Sequence, residues 1–130
     1  MSEHPNVERM RQGYAAFGKG DLEALRELMT EDVVWHVAGR SPLAGDYEGI
    51  DTVFAFFGQV FELTGGSFRV EPLTFLGGDD YCAAPVRATA HRGDRHLDVM
   101  NVQLSRMRDG RVAEFWDTTT DPAAADEFWA

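Results

Sequence analysis

The sequence predicts an α+β fold in which a curved, mixed or antiparallel sheet wraps around three N-terminal helices to form a cone. Up to residue 66, apolar residues recur mainly at helical spacing. From residue 67 onward they alternate with polar residues and are divided by turns rich in Gly and Asp. No linker, internal repeat or low-complexity tract separates the two parts. We therefore expect a single domain over residues 1–130.

Three helices account for the N-terminal part. The first is expected over residues 5–18, the second follows Asp21 as its N-cap, and the third is expected over residues 50–63. Each has an apolar stripe at a spacing of three or four residues, which is typical of a helix packed on one side. The stripes are Val7, Met10, Tyr14 and Phe17 in the first helix, Leu22, Leu25, Leu28 and Met29 in the second, and Val53, Phe54, Phe57, Val60 and Phe61 in the third.

The strands are predicted from β-type composition and period-two alternation. They are a short strand at 33–37, strands at 68–76 and 81–92, and the two arms of a hairpin within 97–120. The stretch after the first strand is rich in Gly, Pro and Ser, which predicts a loop with at most a short bridge at 46–48. Pro85 lacks a backbone N–H and so indicates an edge or a bulge. The last ten residues predict a short turn of helix.

The hairpin within residues 97–120 holds most of the candidate chemistry, and its turn decides which side chains share a face. A two-residue turn at the Asp-Gly pair places Asp117 opposite Val102, whereas a three-residue turn with a glycine bulge places Asp117 opposite Asn101. We favour the second register because it gathers polar side chains around a phenylalanine on one face. The inner set is then Asn101, Gln103, Phe115 and Asp117, and the outer set is Met100, Val102, Leu104 and Trp116.

Composition excludes several classes of function. A formal net charge of −10 argues against nucleic acid and anionic membranes as partners, because both need a basic surface. No apolar run could span a membrane, and no signal-peptide core is visible, so we expect a cytoplasmic protein. The single cysteine, Cys82, permits no internal disulfide. The four histidines lack metal-ligand spacing and no phosphate-binding glycine loop is present, so we expect neither metal nor cofactor.

Asp117 is the best candidate for a catalytic group. A carboxylate inside an apolar cone loses hydration, which raises its pKa toward the range of a general base. The amides of Asn101 and Gln103 could orient this carboxylate or hold a substrate carbonyl oxygen. The alternative is that Asp117 lies at a frayed strand end and caps the threonine turn that follows it.

We expect the inner face of the sheet to form a pocket and the outer face to form an interface. Aromatic residues should form both the core and the wall of an apolar pocket at the open end of the cone, and the candidate substrate-binding residues are Tyr14, Trp35, Phe54, Phe57 and Phe115. If Trp35 faces the cone, His36 faces outward and is better explained as an interface residue. The outer set of the hairpin would form an exposed apolar patch, which a homodimer would bury.

Three segments resemble a known family. They are YAAFGKGDLEALRELMTEDVVWHVAGRSPLAG, then FELTGG after the aromatic helix, and RMRDGRVAEFWDT near the C-terminus. Together they resemble the SnoaL-like polyketide cyclase branch of the nuclear transport factor 2-like superfamily, in which ketosteroid isomerase and limonene epoxide hydrolase are distant relatives. The resemblance covers essentially the whole chain. It implies the cone-shaped fold and dimerisation through the outer sheet face, which is common in that superfamily.

The resemblance also suggests roles for individual residues. In the cyclases an acid on the last strand acts as general acid and base in an intramolecular aldol closure, and Asp117 matches it. The cyclases have a histidine where this chain has Gln103, which cannot titrate. The isomerase base matches about Val37, which is therefore expected only to line the pocket. The isomerase tyrosine falls about one residue from Tyr14, so the resemblance does not support an isomerase-type site.

Three functions remain open. The first is a cofactor-independent enzyme that performs acid–base chemistry, of aldol-cyclisation or isomerisation type, on a small apolar carbonyl compound. The second is a cone that binds a hydrophobic ligand without transforming it, which the missing histidine at position 103 favours. The third is a dimerising structural domain whose cone is filled by Trp35, Phe57 and Phe115. A shielded Asp117 beside an amide would favour the enzyme.

Overall fold

The computed structural model describes residues 3–130, in which four helices pack with a curved seven-stranded sheet that does not close on itself. The helices are α1 (Pro5–Lys19), α2 (Leu22–Leu28), α3 (Ile50–Leu63) and α4 (Pro122–Trp129), and the strands are β1 (Met29–Val37), β2 (Gly45–Glu48), β3 (Arg69–Pro72), β4 (Leu76–Gly77), β5 (Tyr81–Arg92), β6 (Arg95–Arg108) and β7 (Arg111–Thr119). The predicted α+β class is confirmed. No helix within residues 3–130 is long and apolar enough to cross a membrane.

Side-chain caps set the starts of the first two helices. The imidazole Nδ1 of His4 accepts a hydrogen bond from the N–H of Asn6 at 3.1 Å, and α1 ends at Gly20 in the left-handed conformation. The carboxylate of Asp21 accepts from the N–H of Ala24 at 3.1 Å, which confirms it as the N-cap of α2. Side-chain acceptors at these two positions therefore define where the helices begin.

The sheet has the strand order β2-β1-β7-β6-β5-β3, and β4 pairs with the start of β5. Only β1 and β7 run parallel, and the other neighbouring strands are antiparallel, so the sheet is mixed. Its inner side and the helices enclose the apolar core, where α3 contributes the largest share of buried residues. The long strands β5, β6 and β7 form most of this inner side.

The boundary between α2 and β1 differs from the prediction. Strand β1 begins at Met29, four residues before the expected start, because Met29 pairs with Val112 of β7. Strand pairing therefore overrides the helical stripe to which Met29 was assigned. Leu22 was assigned to the inner face of the second helix, but it lies in the first turn of α2 and is 45% exposed.

The strand predicted over residues 68–76 is broken into β3 and β4. Pro85 of β5 lies beside the break. The N–H of Leu73 donates to the carbonyl oxygen of Pro85 at 2.9 Å, but Pro85 has no N–H with which to return a bond. The missing donor explains why the neighbouring strand is interrupted at this point.

The predicted register of the β6–β7 hairpin is wrong by two residues. The turn has two residues, Asp109 and Gly110, both with positive φ, and a single extra residue, Ala113, follows in β7. As a result Gln103, rather than Asn101, lies opposite Asp117. Because the side-chain period of a strand is two, an error of two residues leaves the predicted inner and outer sets unchanged.

Helix α4 is longer than the expected turn, and three contacts fix it to the sheet. Phe128 is 2% exposed and packs on residues of β5 and β6. The guanidinium Nη1 of Arg92 donates to the carbonyl oxygen of Phe128 at 2.8 Å, and Nη1 of Arg95 donates to the oxygen of Ala130 at 2.8 Å. Cationic side chains therefore satisfy carbonyls at the C-terminal end of the helix.

The contact between α1 and β4 gives a test of the packing. A Cβ at Gly77 would overlap Cγ2 of Val7, which is 5% exposed, so Gly77→Ala should destabilise the fold by ~1–3 kcal/mol. A Cβ at Gly58 in α3 meets no atom within 4 Å, so the matched variant Gly58→Ala should stabilise the fold by ~0.5–1 kcal/mol. Urea unfolding of both variants provides the measurement. Equal effects of the two substitutions would contradict the close approach of α1.

Candidate functional site

A cavity of about 140 Å³ lies between the helices and the inner face of the sheet. Five of the predicted wall residues line it, namely Tyr14, Trp35, Val37, Phe57 and Phe115. Asn101, Gln103 and Asp117 line it too. The volume is comparable to that of the ~150 Å³ engineered apolar cavity that holds benzene. The space therefore suits a compound of about one aromatic ring.

Phe54 does not line the cavity, which corrects its assignment as a substrate-binding residue. Its half-buried ring packs beside Phe57 and lies 5.1 Å from the guanidinium carbon of Arg26. Phe56, 8% exposed, lines the cavity beside Phe57. The apolar residues of α3 extend around much of the helix, so their spacing could not show which phenylalanine points into the space.

The aromatic wall is built by strand pairing. Trp35 of β1 is the register partner of Phe115 of β7, and the two rings stack with centroids 3.6 Å apart. Phe57 of α3 meets Trp35 edge-on at a centroid distance of 5.1 Å. Edge-on and stacked contacts of this kind fix ring positions. The aromatic wall is thus held together by ring contacts where β1, β7 and α3 meet.

A chain of hydrogen bonds crosses this apolar wall. The amide nitrogens of Asn101 and Gln103 each donate to Oδ1 of Asp117 at 3.2 Å. The hydroxyl of Tyr14 donates to Oε1 of Gln103 at 2.5 Å. An ionised carboxylate only accepts, so both amides must present their nitrogens to Asp117. One carboxylate thereby sets the orientation of two amides, and the amide of Gln103 also accepts a hydrogen bond from α1.

Burial controls the ionisation of this cluster. Desolvation raises the pKa of Asp117 from 3.8 to about 6, although the hydrogen bonds from Gln103 and Asn101 oppose the rise. Desolvation, with a further contribution from the charge of Asp117, raises the pKa of Tyr14. Tyr14 therefore stays protonated as a donor at neutral pH, whereas Asp117 titrates close to neutrality.

Two oxygens of the cluster lack partners. Oδ2 of Asp117 accepts no hydrogen bond from residues 3–130, since both amides donate to Oδ1. Oδ1 of Asn101 is buried and likewise has no partner within the described chain. Buried polar atoms in folded proteins are normally paired. Oδ2 of Asp117 can therefore take a proton or a hydrogen bond from a ligand, whereas Oδ1 of Asn101 is sealed from solvent.

Sequence reasoning missed several lining residues. Ser105 of β6 is 3% exposed and lines the cavity next to the polar cluster. The sequence could have predicted this position, because Asn101, Gln103 and Ser105 lie at every second residue of one strand and so share a face. Leu43 of the loop before β2 and Trp129 of α4 also line the space, but neither lies in a segment whose pattern indicates an inner face.

His36 lies on the outer face of the sheet, opposite to Trp35, as predicted. Its Nδ1 lies 2.6 Å from Oδ1 of Asp46 and its Nε2 lies 2.6 Å from Oε2 of Glu114, while its ring stacks on Trp116. The hydrogen bond with Asp46 is the largest cause of a raised pKa at His36. Desolvation opposes this rise, and Glu114 adds to it. The imidazole thus connects β2 to β7 through Asp46 and Glu114 and does not line the cavity.

Replacing Asp117 with Asn should stabilise the fold in a pH-dependent way. Burial disfavours the charged form of Asp117, so its pKa in the folded chain lies above the ordinary value. The resulting loss of stability is absent below about pH 4, grows as the pH rises to about 6, and is complete above that. Asp117→Asn should therefore raise the free energy of unfolding by ~1–3 kcal/mol at pH 8 and by little at pH 4. Urea unfolding at the two pH values measures the difference.

Asp98→Asn is the matched control for that experiment. The pKa of Asp98 is lowered by its hydrogen bond from Arg87, so loss of its charge should reduce stability at pH 8, which is the opposite sign. A stability gain from Asp117→Asn that did not depend on pH would contradict the desolvation of this carboxyl group.

Comparison with known proteins places the chain in a family. The SnoaL-like domain family matches residues 10–115. Uncharacterized protein Rv0034 of Mycobacterium tuberculosis is 31% identical over 131 residues, covering both chains completely. Bal32a, from a soil-derived mobile gene cassette, is 41% identical with a TM-score of 0.94 and 97% of each chain covered. TerC, co-crystallised with polyporic acid, is 25% identical with a TM-score of 0.84, covering 96% of this chain and 98% of TerC.

More distant structures show the fold alone. An NTF2-like protein of unknown function from Burkholderia pseudomallei is 23% identical with a TM-score of 0.87, and 98% of this chain and 99% of that one are covered. IdmH from Streptomyces antibioticus, a candidate polyketide cyclase, is 21% identical with a TM-score of 0.77, and 95% of this chain and 99% of IdmH are covered. The chain thus belongs to the SnoaL-like domain family and has the nuclear transport factor 2-like fold.

Proposed function

We propose that the protein is a cofactor-independent acid–base enzyme that acts on a small apolar carbonyl compound, with Asp117 as the group that moves the proton. The supporting observation is a carboxyl group with a pKa of about 6 in an apolar cavity, whose Oδ2 accepts no hydrogen bond from residues 3–130. At pH 7 such a group is mostly ionised, and its acid form is close enough in pKa to return the proton.

The proposed chemistry is proton transfer at carbon next to a carbonyl. Oδ2 of Asp117 takes the proton, and the C–H bonding pair forms the enolate. In an aldol closure the enolate carbon then bonds to a second carbonyl carbon of the same molecule, and protonated Asp117 returns its proton to the resulting alkoxide. In an isomerisation the proton returns instead to a different carbon. Atoms and charge balance in both cases without a redox partner.

The amides are assigned to positioning the carboxyl group. Asn101 and Gln103 both donate to Oδ1 of Asp117, which leaves Oδ2 as the oxygen available to a ligand. The hydroxyl of Tyr14 holds Gln103 in place. This arrangement favours orientation of Asp117 over the alternative role of holding a substrate oxygen. Fixed hydrogen bonds of this kind reduce the reorganisation needed during proton transfer.

A binding protein without catalysis is the second candidate. Gln103 cannot titrate, and the raised pKa of Tyr14 keeps its proton in place, so Asp117 acts without a second acid of matched pKa in this cluster. The co-crystallisation of TerC with polyporic acid supports ligand binding in this fold. The open volume of about 140 Å³ counts against the third candidate, a domain whose cone is filled by its own aromatic residues.

Deuterium exchange separates the first two candidates. In heavy water, the wild-type protein should exchange the hydrogens next to the carbonyl of at least one member of a panel of small aryl ketones. Asp117→Asn should slow that exchange by a factor of ~100 or more. Because the variant keeps the shape of the cavity, binding of the same ketone should change little, as measured by calorimetry.

The same deuterium-exchange assay includes a control variant and can contradict the proposal. Asp98→Asn removes a carboxylate from the surface and should leave exchange unchanged. If the wild-type protein binds ketones without exchange, the binding protein is the better description. If Asp117→Asn exchanges as fast as the wild type, Asp117 has no part in the chemistry.

We further propose that the outer sheet face associates with a second copy of the chain. Met100, Val102 and Leu104 are 44%, 41% and 36% exposed and are consecutive on the outer face of β6. Charged side chains of both signs flank them, as in the pair between Arg87 and Asp98. An apolar centre with a charged rim is typical of an interface, and both signs on one face allow a two-fold partner to match it.

Charge placed in this patch should separate the copies. Val102→Glu should convert a dimer into a monomer, because an unpaired carboxylate would be buried between the sheets. Leu73→Glu places the same charge on an exposed apolar residue of the β3–β4 loop and should leave the dimer intact. Sedimentation velocity measures both. A monomeric wild-type protein would contradict the proposed interface without affecting the proposal for Asp117.

A further inference from the structure

Ser105 is a buried hydroxyl without a partner on the wall of the cavity. The residue is 3% exposed and lines the cavity, yet its Oγ makes no hydrogen bond with residues 3–130. Ser105 lines the cavity, whereas Oδ1 of Asn101 is a buried oxygen sealed from solvent. A buried hydroxyl that is reachable and unpaired is a natural point of contact for a ligand.

The register places this hydroxyl close to the carboxyl group. Ser105 lies opposite Phe115, and the next pair on the same face is Gln103 with Asp117. Ser105 and Asp117 are therefore diagonal neighbours across β6 and β7, which places their backbones ~7–8 Å apart. A six-membered ring with oxygens at opposite ends has a similar length, so its two oxygens could reach both side chains. The cavity volume also suits one ring.

The chemistry of the two groups sets the polarity of a ligand between them. Ionised Asp117 can only accept, so the hydrogen-bonding group of a ligand that suits it is an O–H or N–H. Ser105 can donate, so it can pair with a carbonyl oxygen, which Asp117 would repel. A carboxylate ligand is disfavoured because the one cation of the lining, Arg9, is an exposed residue, and Asp117 repels anions. The ligand is thereby oriented in one direction.

We propose that Ser105 is a specificity-determining residue that binds the carbonyl oxygen of a neutral, one-ring compound whose hydroxyl donates to Asp117. The inference rests on the proposed role of the cavity as the ligand site and names the chemical class of that ligand.

Two probes with the same number of non-hydrogen atoms test this contact. 4-Hydroxybenzaldehyde offers a hydroxyl and a carbonyl, whereas 4-ethylphenol offers only the hydroxyl. At a pH slightly above the pKa of Asp117, calorimetry with the wild-type protein should show ~3–10-fold tighter binding of the aldehyde, since one hydrogen bond is worth about that factor. Ser105→Ala should remove this preference by weakening only the aldehyde. Ser67→Ala, which changes a serine outside the lining, should preserve it.

The outcomes distinguish this inference from the proposed function. If neither probe binds the wild-type protein, both the ligand site and the role of Ser105 are wrong. If both probes bind equally well, or if Ser105→Ala keeps the preference for the aldehyde, only the role of Ser105 is wrong. Loss of an unpaired hydroxyl should leave thermal unfolding unchanged. Should Ser105→Ala fail to fold, Ser105→Cys keeps the size of the side chain with a much weaker donor and should show the same loss.

Discussion

The hydrogen bond between Gln103 and Asp117 depends on one extra residue in β7, and the rest of the site depends on that bond. With the two-residue turn alone, Asp117 would lie opposite Val102 and point to the outer face. The insertion of Ala113 shifts the pairing by one residue and turns the carboxyl group into the cavity. Once Asp117 faces inward, Gln103 can hold it and Tyr14 can hold Gln103. A local irregularity of the strand thus creates the polar cluster.

Burial of Asp117 lowers the stability of the folded chain and makes its carboxylate more basic. Desolvation raises the pKa of Asp117, so the folded chain is less stable with the ionised carboxylate than it would be with a neutral group. The two amides reduce that penalty, but they do so at Oδ1 only. A third donor, at Oδ2, would stabilise the anion further and lower its pKa. The absence of such a donor among residues 3–130 keeps the group basic near neutral pH.

The sequence was enough to predict most of the helices and strands, but it did not predict the strand register and boundaries that position them. Helical stripes and the Asp21 cap predicted the helices, and period-two alternation predicted which residues of β6 and β7 face inward. Neither could reveal Ala113 as an extra residue, because this bulge contains no glycine that would mark it in the sequence. In α3 the apolar residues surround the helix, so spacing could not separate Phe54 from Phe56. Met29 belongs to β1 because it pairs with Val112. This partner is distant in sequence, so local spacing could not predict the pairing.

Strand β6 connects the two surfaces for which roles are proposed. Gln103 and Ser105 point into the cavity, while Leu104 between them points to the outer face. A partner packed on Leu104 would restrict the motion of the same backbone that sets the spacing of the two inner groups. Association at the outer face would therefore sharpen the geometry of the cavity without contacting it. The side chains nonetheless point in opposite directions, so each surface can be altered while the other is kept.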